Sequence, residues 1–229
     1  MPYRAVVFDL DGTLLDTLAD IGESANLVLE GQRCPVHPLE AYRLFVGDGV
    51  AMLFERALPS EKREPELIRA CVEAFREAYS RNWNRRTQPY PGIADLLDGL
   101  EARKLPLAVL SNKPHEFTEH CMAHYFPKRS FQRILGQREG VPRKPDPAAA
   151  LEIVAELGLA PAECLFLGDS LVDMRTARNA GMYAVGATWG FRPAEELLAN
   201  GADRLIDRPQ DLLPIVDGGA DGNCGAESG

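Results

Sequence analysis

The sequence predicts an α/β protein in which a Rossmann-like parallel sheet, flanked by helices on both faces, carries one inserted all-helical cap domain. Three observations carry this reading. Short apolar runs, each followed by a helical pattern, recur at residues 5–8, 107–110, 133–135, 164–167, 183–186 and 204–206. The runs are continuous rather than alternating, as expected of parallel strands buried on both faces with helices as their crossovers. The alternation of strand and helix lapses once, from about Thr17 to Asn84, where only helical pattern is found.

Taken in order, the first run leads straight into Asp9-Leu10-Asp11-Gly12-Thr13-Leu14-Leu15-Asp16. In the helical block that follows, Leu67, Ile68, Cys71, Val72, Phe75, Ala78 and Tyr79 recur at intervals of one, three and four, which marks an amphipathic helix. Pro35, Pro38, Pro59 and Pro65 divide the block into four helices, and the turn-rich Pro89-Tyr90-Pro91-Gly92 is its exit. The expected division is therefore a core domain of residues 1–16 and 89–217, a cap of residues 17–88, and a disordered tail of residues 218–229. The tail holds five glycines and almost nothing to bury.

At 229 residues and 25.2 kDa the chain suits one ordinary core with a small accessory domain. A net charge of −9 argues against nucleic acid and anionic membrane surfaces as partners, both of which select clustered Lys and Arg. An anionic substrate must then meet local positive charge or a metal. No apolar run approaches the roughly 18 residues of a membrane span, and the N-terminal segment lacks a signal-peptide pattern, so the expected compartment is the cytoplasm. Cys34, Cys71, Cys121, Cys164 and Cys224 are scattered and odd in number, which suggests reduced thiols rather than a disulfide frame or zinc site.

Candidate chemistry gathers at strand ends. Ligands bind at the carboxyl ends of parallel strands, and residues i and i+2 of an extended chain share a face, so Asp9 and Asp11 point at one place while Gly12 permits a tight turn. A lone D-x-D after a strand is more often a turn. The full D-x-D-G-T string is expected by chance in about one chain in several hundred of this length. Three later strings add to it: Ser111-Asn112-Lys113 closes one strand, Arg143-Lys144-Pro145-Asp146-Pro147 precedes a helix, and Gly168-Asp169-Ser170-Leu171-Val172-Asp173 closes another strand. Each alone reads as a helix cap, a solvated lysine or an acidic first turn.

Together the four strings resemble the signature motifs of the haloacid dehalogenase superfamily, specifically its phosphatases, over nearly the whole chain. The helical block resembles that family's cap, and Phe45-Val46-Gly47-Asp48-Gly49 with Arg56-Ala57-Leu58 is similar to the cap region of phosphoglycolate phosphatases. The resemblance implies Asp9 as nucleophile and Asp11 as the acid that protonates the leaving group and then takes a proton from water. It implies Thr13, Ser111, Asn112 and Lys144 as phosphate ligands, with N–H donors at the Gly12 turn. Asp9, Asp169 and the Asp11 carbonyl resemble the family's magnesium ligands, with Asp173 behind them. Gly47, Asp48 and Gly49 would set substrate specificity, with Arg43 or Arg56 adding charge.

A charge count points to the metal independently. Asp9, Asp169 and Asp173 face only Lys144, so a phosphate dianion would be repelled by several kcal/mol at a partly shielded dielectric, order-of-magnitude. Oxygen-only ligation favours Mg²⁺ over Zn²⁺. The expected partner is a small phosphorylated metabolite, possible substrates including 2-phosphoglycolate, and the expected assembly is a monomer or homodimer.

The alternatives are a sugar phosphomutase resembling β-phosphoglucomutase, a haloacid dehalogenase and a non-catalytic binding protein. Asp11 argues against the dehalogenase, and the completeness of the polar set argues against the binding protein. His120 and His124, four apart, read as an exposed helix face, and the basic stretch 81–86 as a solvated hinge.

Overall fold

The computed structural model describes residues 3–218. In chain order the strands are β1 (Ala5–Phe8), β2 (Leu15–Asp16), β3 (Gln88–Pro89), β4 (Leu107–Pro114), β5 (Arg133–Gln137), β6 (Cys164–Gly168), β7 (Tyr183–Ala187) and β8 (Arg204–Ile206). The α-helices are α1 (Leu18–Gly31), α2 (Tyr42–Phe45), α3 (Val50–Ala57), α4 (Pro65–Asn82), α5 (Ile93–Ala102), α6 (His115–Tyr125), α7 (Ala148–Glu156), α8 (Leu171–Ala180), α9 (Ala194–Ala199) and α10 (Leu212–Val216).

Six strands form one sheet in the order β5-β4-β1-β6-β7-β8, and every neighbouring pair in it is parallel. The apolar runs are buried on both faces because side-chain direction alternates along each strand. Val6, Phe8, Val109, Leu165 and Leu167 pack on α5, α6 and α10. Ala5, Val7, Ala108, Leu110 and Phe166 turn the other way, onto α7, α8 and α9. From β1 the chain goes next to β4 on one side and later to β6 on the other, so β1 is the point where the strand order reverses. The crevice at such a point is where open α/β sheets bind ligands.

The block between β2 and β3 holds four α-helices, the number expected; prolines separate α1 from α2 and α3 from α4, while α2 and α3 part at Gly47 and Gly49, both of positive φ. Its own apolar cluster, which includes Leu29, Tyr42, Phe54, Cys71 and Tyr79, also takes in Phe117 of α6 and Phe191. The block leaves and rejoins the core through one antiparallel pair, Leu15 opposite Pro89 and Asp16 opposite Gln88. The buried Asp20 carboxylate fastens this joint, accepting hydrogen bonds from Arg86 N (2.9 Å), Thr87 N (2.8 Å) and Thr87 Oγ1 (2.7 Å).

Strand β4 runs past its expected end at Leu110 to Pro114, with a shift of register between those two residues, so the Ser111-Asn112-Lys113 string is itself extended. Cys34, Cys71, Cys121 and Cys164 are free and buried; Cys224 and the tail from residue 219 lie outside the described residues. Among the described residues no helix is long and apolar enough to cross a membrane.

Candidate active site

The carboxyl ends of β1, β4 and β6 bring the four sequence motifs together. Asp9 follows β1 and extends its ladder by donating its N–H to the Leu167 carbonyl (2.9 Å). The chain then turns at Gly12 with φ of +92°, and a Cβ there would lie 2.3 Å from an Asp169 oxygen. Only glycine meets both demands, the positive φ and the close approach.

Lys144 is the cation at the centre. Its Nζ donates to Asp9 Oδ1 (2.8 Å), Asp173 Oδ1 (2.7 Å) and the Leu110 carbonyl (2.9 Å), so all three ammonium hydrogens are placed. Asp9 Oδ2 accepts no hydrogen bond from the described residues. Asp169 takes Phe191 N on Oδ2 (2.7 Å) and the Thr13 hydroxyl on Oδ1 (3.2 Å). Asp173 receives Ser170 N (3.0 Å) and Ser170 Oγ (2.6 Å) on Oδ2, the reciprocal cap of helix α8.

The electrostatics are those of crowded, dry carboxylates. Burial pushes the Asp9 carboxyl up to about 7, with Asp173 adding to the effect and Lys144 opposing it. Asp169 is raised well above the usual carboxylate range by burial and then by Asp173 and Asp9. For Lys144 burial works against the charge, but Asp173 and Asp9 outweigh it and the pKa rises. Asp9, Asp169 and Asp173 each offer an oxygen within 4.8 Å of the others. Three buried carboxylates answered by one lysine fit a hard divalent cation, and a donor set of oxygens alone fits it better than zinc.

The phosphate ligands expected from sequence are arranged differently. Thr13 is fully buried with its hydroxyl on Asp169, and the Gly12 N–H donates to the Leu15 carbonyl (2.8 Å). The Asn112 amide bridges modules instead, donating to the Gly47 carbonyl of the cap (3.0 Å) and the Lys144 carbonyl (3.1 Å) while accepting from Lys144 N (3.0 Å). Ser111 Oγ accepts from Lys113 N (3.2 Å), which leaves its own O–H free to donate into the cavity. These groups were predicted from type and position, and burial gives three of them structural partners.

Lys113 carries a second contact that spacing did not reveal. Its Nζ lies 3.0 and 3.2 Å from the two oxygens of Asp11 and 2.8 Å from the Tyr79 hydroxyl. Burial opposes its charge, yet Asp11 followed by Tyr79 moves its pKa upward. Asp11, expected from sequence as the acid, thus has both its oxygens on a buried ammonium. No local pattern signals this pair, whose members lie 102 residues apart.

A cavity of about 390 Å³ lies between cap and core, with Asp9, Asp11, Ser111 and Lys113 on one wall and Val50, Leu53, Val72 and Phe75 on the other. Gly47 and Gly49 line it, whereas the Asp48 carboxylate is turned to the Arg56 guanidinium. Arg56 is thereby occupied, and Arg43 pairs with Glu40 and the Gly190 carbonyl (2.8 Å each), so neither lines the cavity. Arg143 does line it, over Gly49, and its guanidinium makes no hydrogen bond or ion pair with the described residues.

His120 and His124 pack beside Trp83, at ring distances of 6.4 and 5.2 Å. In the basic stretch, Arg81 and Arg86 are paired with Glu77 and Glu23.

The sequence profile of the haloacid dehalogenase-like hydrolases matches residues 6–187. The chain is 32% identical over 222 residues to phosphoglycolate phosphatase 1 of Pseudomonas aeruginosa, covering 95% of this chain and 81% of that protein. It is 31% identical to the phosphoglycolate phosphatase of Psychrobacter arcticus, covering 95% of this chain and 96% of the other. The crystal structure of a protein from Lactobacillus delbrueckii, described as a phosphoglycolate phosphatase by inference, superposes with a TM-score of 0.88 at 32% identity, over 94% of this chain and 99% of that one.

Proposed function

The chain belongs to the haloacid dehalogenase-like hydrolases and is a phosphatase; from that premise we propose that it hydrolyses a small phosphorylated metabolite through an aspartyl-phosphate on Asp9, with Mg²⁺ as cofactor. The observation that carries the reading is the asymmetry of Asp9. At the switch point of the sheet Asp9 lines the cavity, with one oxygen fixed by Lys144 and the other accepting no hydrogen bond from the described residues.

Asp11 enters this step protonated: Asp9 Oδ2 attacks phosphorus in line with the leaving oxygen, the ester P–O bond breaks, and the departing alkoxide takes the Asp11 proton. Water then attacks the acyl phosphate, giving its proton to Asp11 and freeing inorganic phosphate and Asp9. Lys144 and the Ser111 hydroxyl face the charge that develops on the phosphoryl oxygens. Asp9, Asp169 and the Asp11 carbonyl would hold the cation, with Asp173 steadying them. When bound, Mg²⁺ supplies the positive charge that lets a dianion approach three carboxylates.

Residues 1–16 and 89–217 act as the catalytic domain and residues 17–88 as the cap that selects the substrate. The relatives named phosphoglycolate phosphatase favour a small carboxylated phosphate such as 2-phosphoglycolate. Its carboxylate would meet the N–H groups at the start of α3 and the unpaired Arg143 guanidinium beside Gly49. An intracellular metabolite of this kind makes the cytoplasm the proposed compartment.

The test is kcat/KM with Mg²⁺ across a panel holding 2-phosphoglycolate, hexose phosphates with and without a bisphosphate activator, and an aryl phosphate. The proposal expects phosphate release from several members and 2-phosphoglycolate among the best. A 2-phosphoglycolate rate among the poorest would remove the substrate, and phosphoryl transfer that requires the bisphosphate would replace the hydrolase by a mutase.

A further inference from the structure

Lys113 is a buried cation that neither the phosphate chemistry nor the metal cluster uses. Its side chain is 4% exposed, and that of Asp11 is 12% exposed. The ammonium has three hydrogens and three protein acceptors: Asp11 Oδ1, Asp11 Oδ2 and Tyr79 Oη. It also sits 4.6 Å from the centre of the Tyr79 ring. Tyr79 belongs to α4 of the cap, stacks on Phe75 at 5.3 Å and meets Phe117 of the core edge-on at 5.2 Å. A single ammonium thus joins a carboxylate of the core to a hydroxyl of the cap.

Resting on the phosphatase reading, we propose that Lys113 is a positioning residue for Asp11 and that Tyr79 passes the position of the cap to it. With its side chain 4% exposed, the ammonium is held by these protein acceptors, so its place follows its partners. The cavity has walls from both modules, so a shift of the cap would change its shape. With the cap seated, Tyr79 completes the shell of Lys113 and the Asp11 carboxylate is fixed at the cavity wall. With the cap displaced, the ammonium loses one of three acceptors and Asp11 is less firmly held. Proton transfer at the leaving oxygen is in this way tied to a closed site.

The test uses the full-length chain with Mg²⁺ and compares an alkyl phosphate from the panel with p-nitrophenyl phosphate. Tyr79→Phe, which keeps the ring stack, is expected to lower kcat on the alkyl ester about tenfold with little change in KM and to leave the aryl ester within about twofold. Lys113→Met is expected to show the same pattern more strongly, about 100-fold on the alkyl ester. In an Asp11→Asn background both substitutions should cost nothing further, because the group they position is gone. Equal losses on both esters, or losses that multiply fully in the Asp11→Asn background, would overturn the proposal. Should Lys113→Met not fold, Tyr79→Phe and its double variant decide alone. Aryl phosphate turnover by the wild type and its loss in Asp9→Asn report separately on the phosphatase reading; without that turnover both fall.

Discussion

The two walls of the cavity are built by opposite means. On the core wall Asp9, Asp11, Ser111 and Lys113 all carry a named hydrogen-bond partner, and Lys144 behind them has every ammonium hydrogen placed. On the cap wall Val50, Leu53, Val72 and Phe75 present apolar surface beside the backbone of Gly47 and Gly49, with the polar side chains of Glu73, Arg76 and Tyr79 among them. A wall of fixed charges can drive phosphoryl transfer and is indifferent to what the phosphate is attached to. A wall of shape and backbone can do no chemistry but can choose the leaving group. Substitutions on the first should therefore change kcat, and those at the apolar and glycine positions of the second KM; Tyr79, which reaches Lys113, is the cap residue that belongs with the first.

The largest effect is expected from Asp9→Asn, which should lower kcat by at least about 10³-fold, since an amide cannot form the phosphoryl adduct. Circular dichroism should show an unchanged fold, and activity within tenfold of wild type would break the division of labour. Chelation should also abolish turnover, with rescue by Mg²⁺ and poor rescue by Ca²⁺, whose larger and looser shell would misplace the nucleophile. Because the cation binds the folded state and offsets repulsion among Asp9, Asp169 and Asp173, the melting temperature should rise with Mg²⁺. Equal melting curves with chelator and with Mg²⁺ would remove the metal from the core wall.

The joint between the walls can be tested by stability. Asp20→Ala removes the acceptor shared by Arg86 N, Thr87 N and Thr87 Oγ1 and should cost about 2–4 kcal/mol in denaturant unfolding. A loss under about 0.5 kcal/mol would mean the hinge does not depend on it.

The cap wall should respond more mildly. Gly49 has φ of +88° and lies under Arg143, so Gly49→Val should raise KM for a carboxylated phosphate about tenfold while leaving a neutral-tailed phosphate nearly unchanged. Equal effects on both would show that this wall does not select. The smallest effect is expected from His124→Ala, on an exposed helix face beside Trp83: activity within about twofold of wild type and stability within about 0.5 kcal/mol.

The same contrast explains what could be read in advance. Strand runs such as residues 164–167 were legible because burial on both faces leaves a continuous apolar stretch; Asp9 and Asp169 stood out as candidates because they follow such runs, and Lys144 because it stands in a short polar string before a helix. Two of the breaks between the cap helices were legible from prolines, and the third falls at Gly47 and Gly49. Partners were less legible than positions. Thr13 and Asn112 were expected to face phosphate, but composition does not say that one would turn to Asp169 and the other would bridge Gly47 and Lys144. The contact of Lys113 with Tyr79 joins residues 34 apart in sequence, and that of Asp20 with Thr87 joins residues 67 apart, so neither leaves a local pattern. Arg143 was passed over for Arg43 and Arg56 because charge is visible in sequence and an existing ion pair is not.

The central claim is that the phosphoryl group passes through Asp9. It is tested most directly by quenching the enzyme during turnover, reducing any acyl phosphate with borohydride and sequencing the N-terminal peptide by mass spectrometry. The account predicts homoserine at position 9, and none in enzyme quenched without substrate. Turnover with an unreduced Asp9, or homoserine at Asp11 instead, would contradict it.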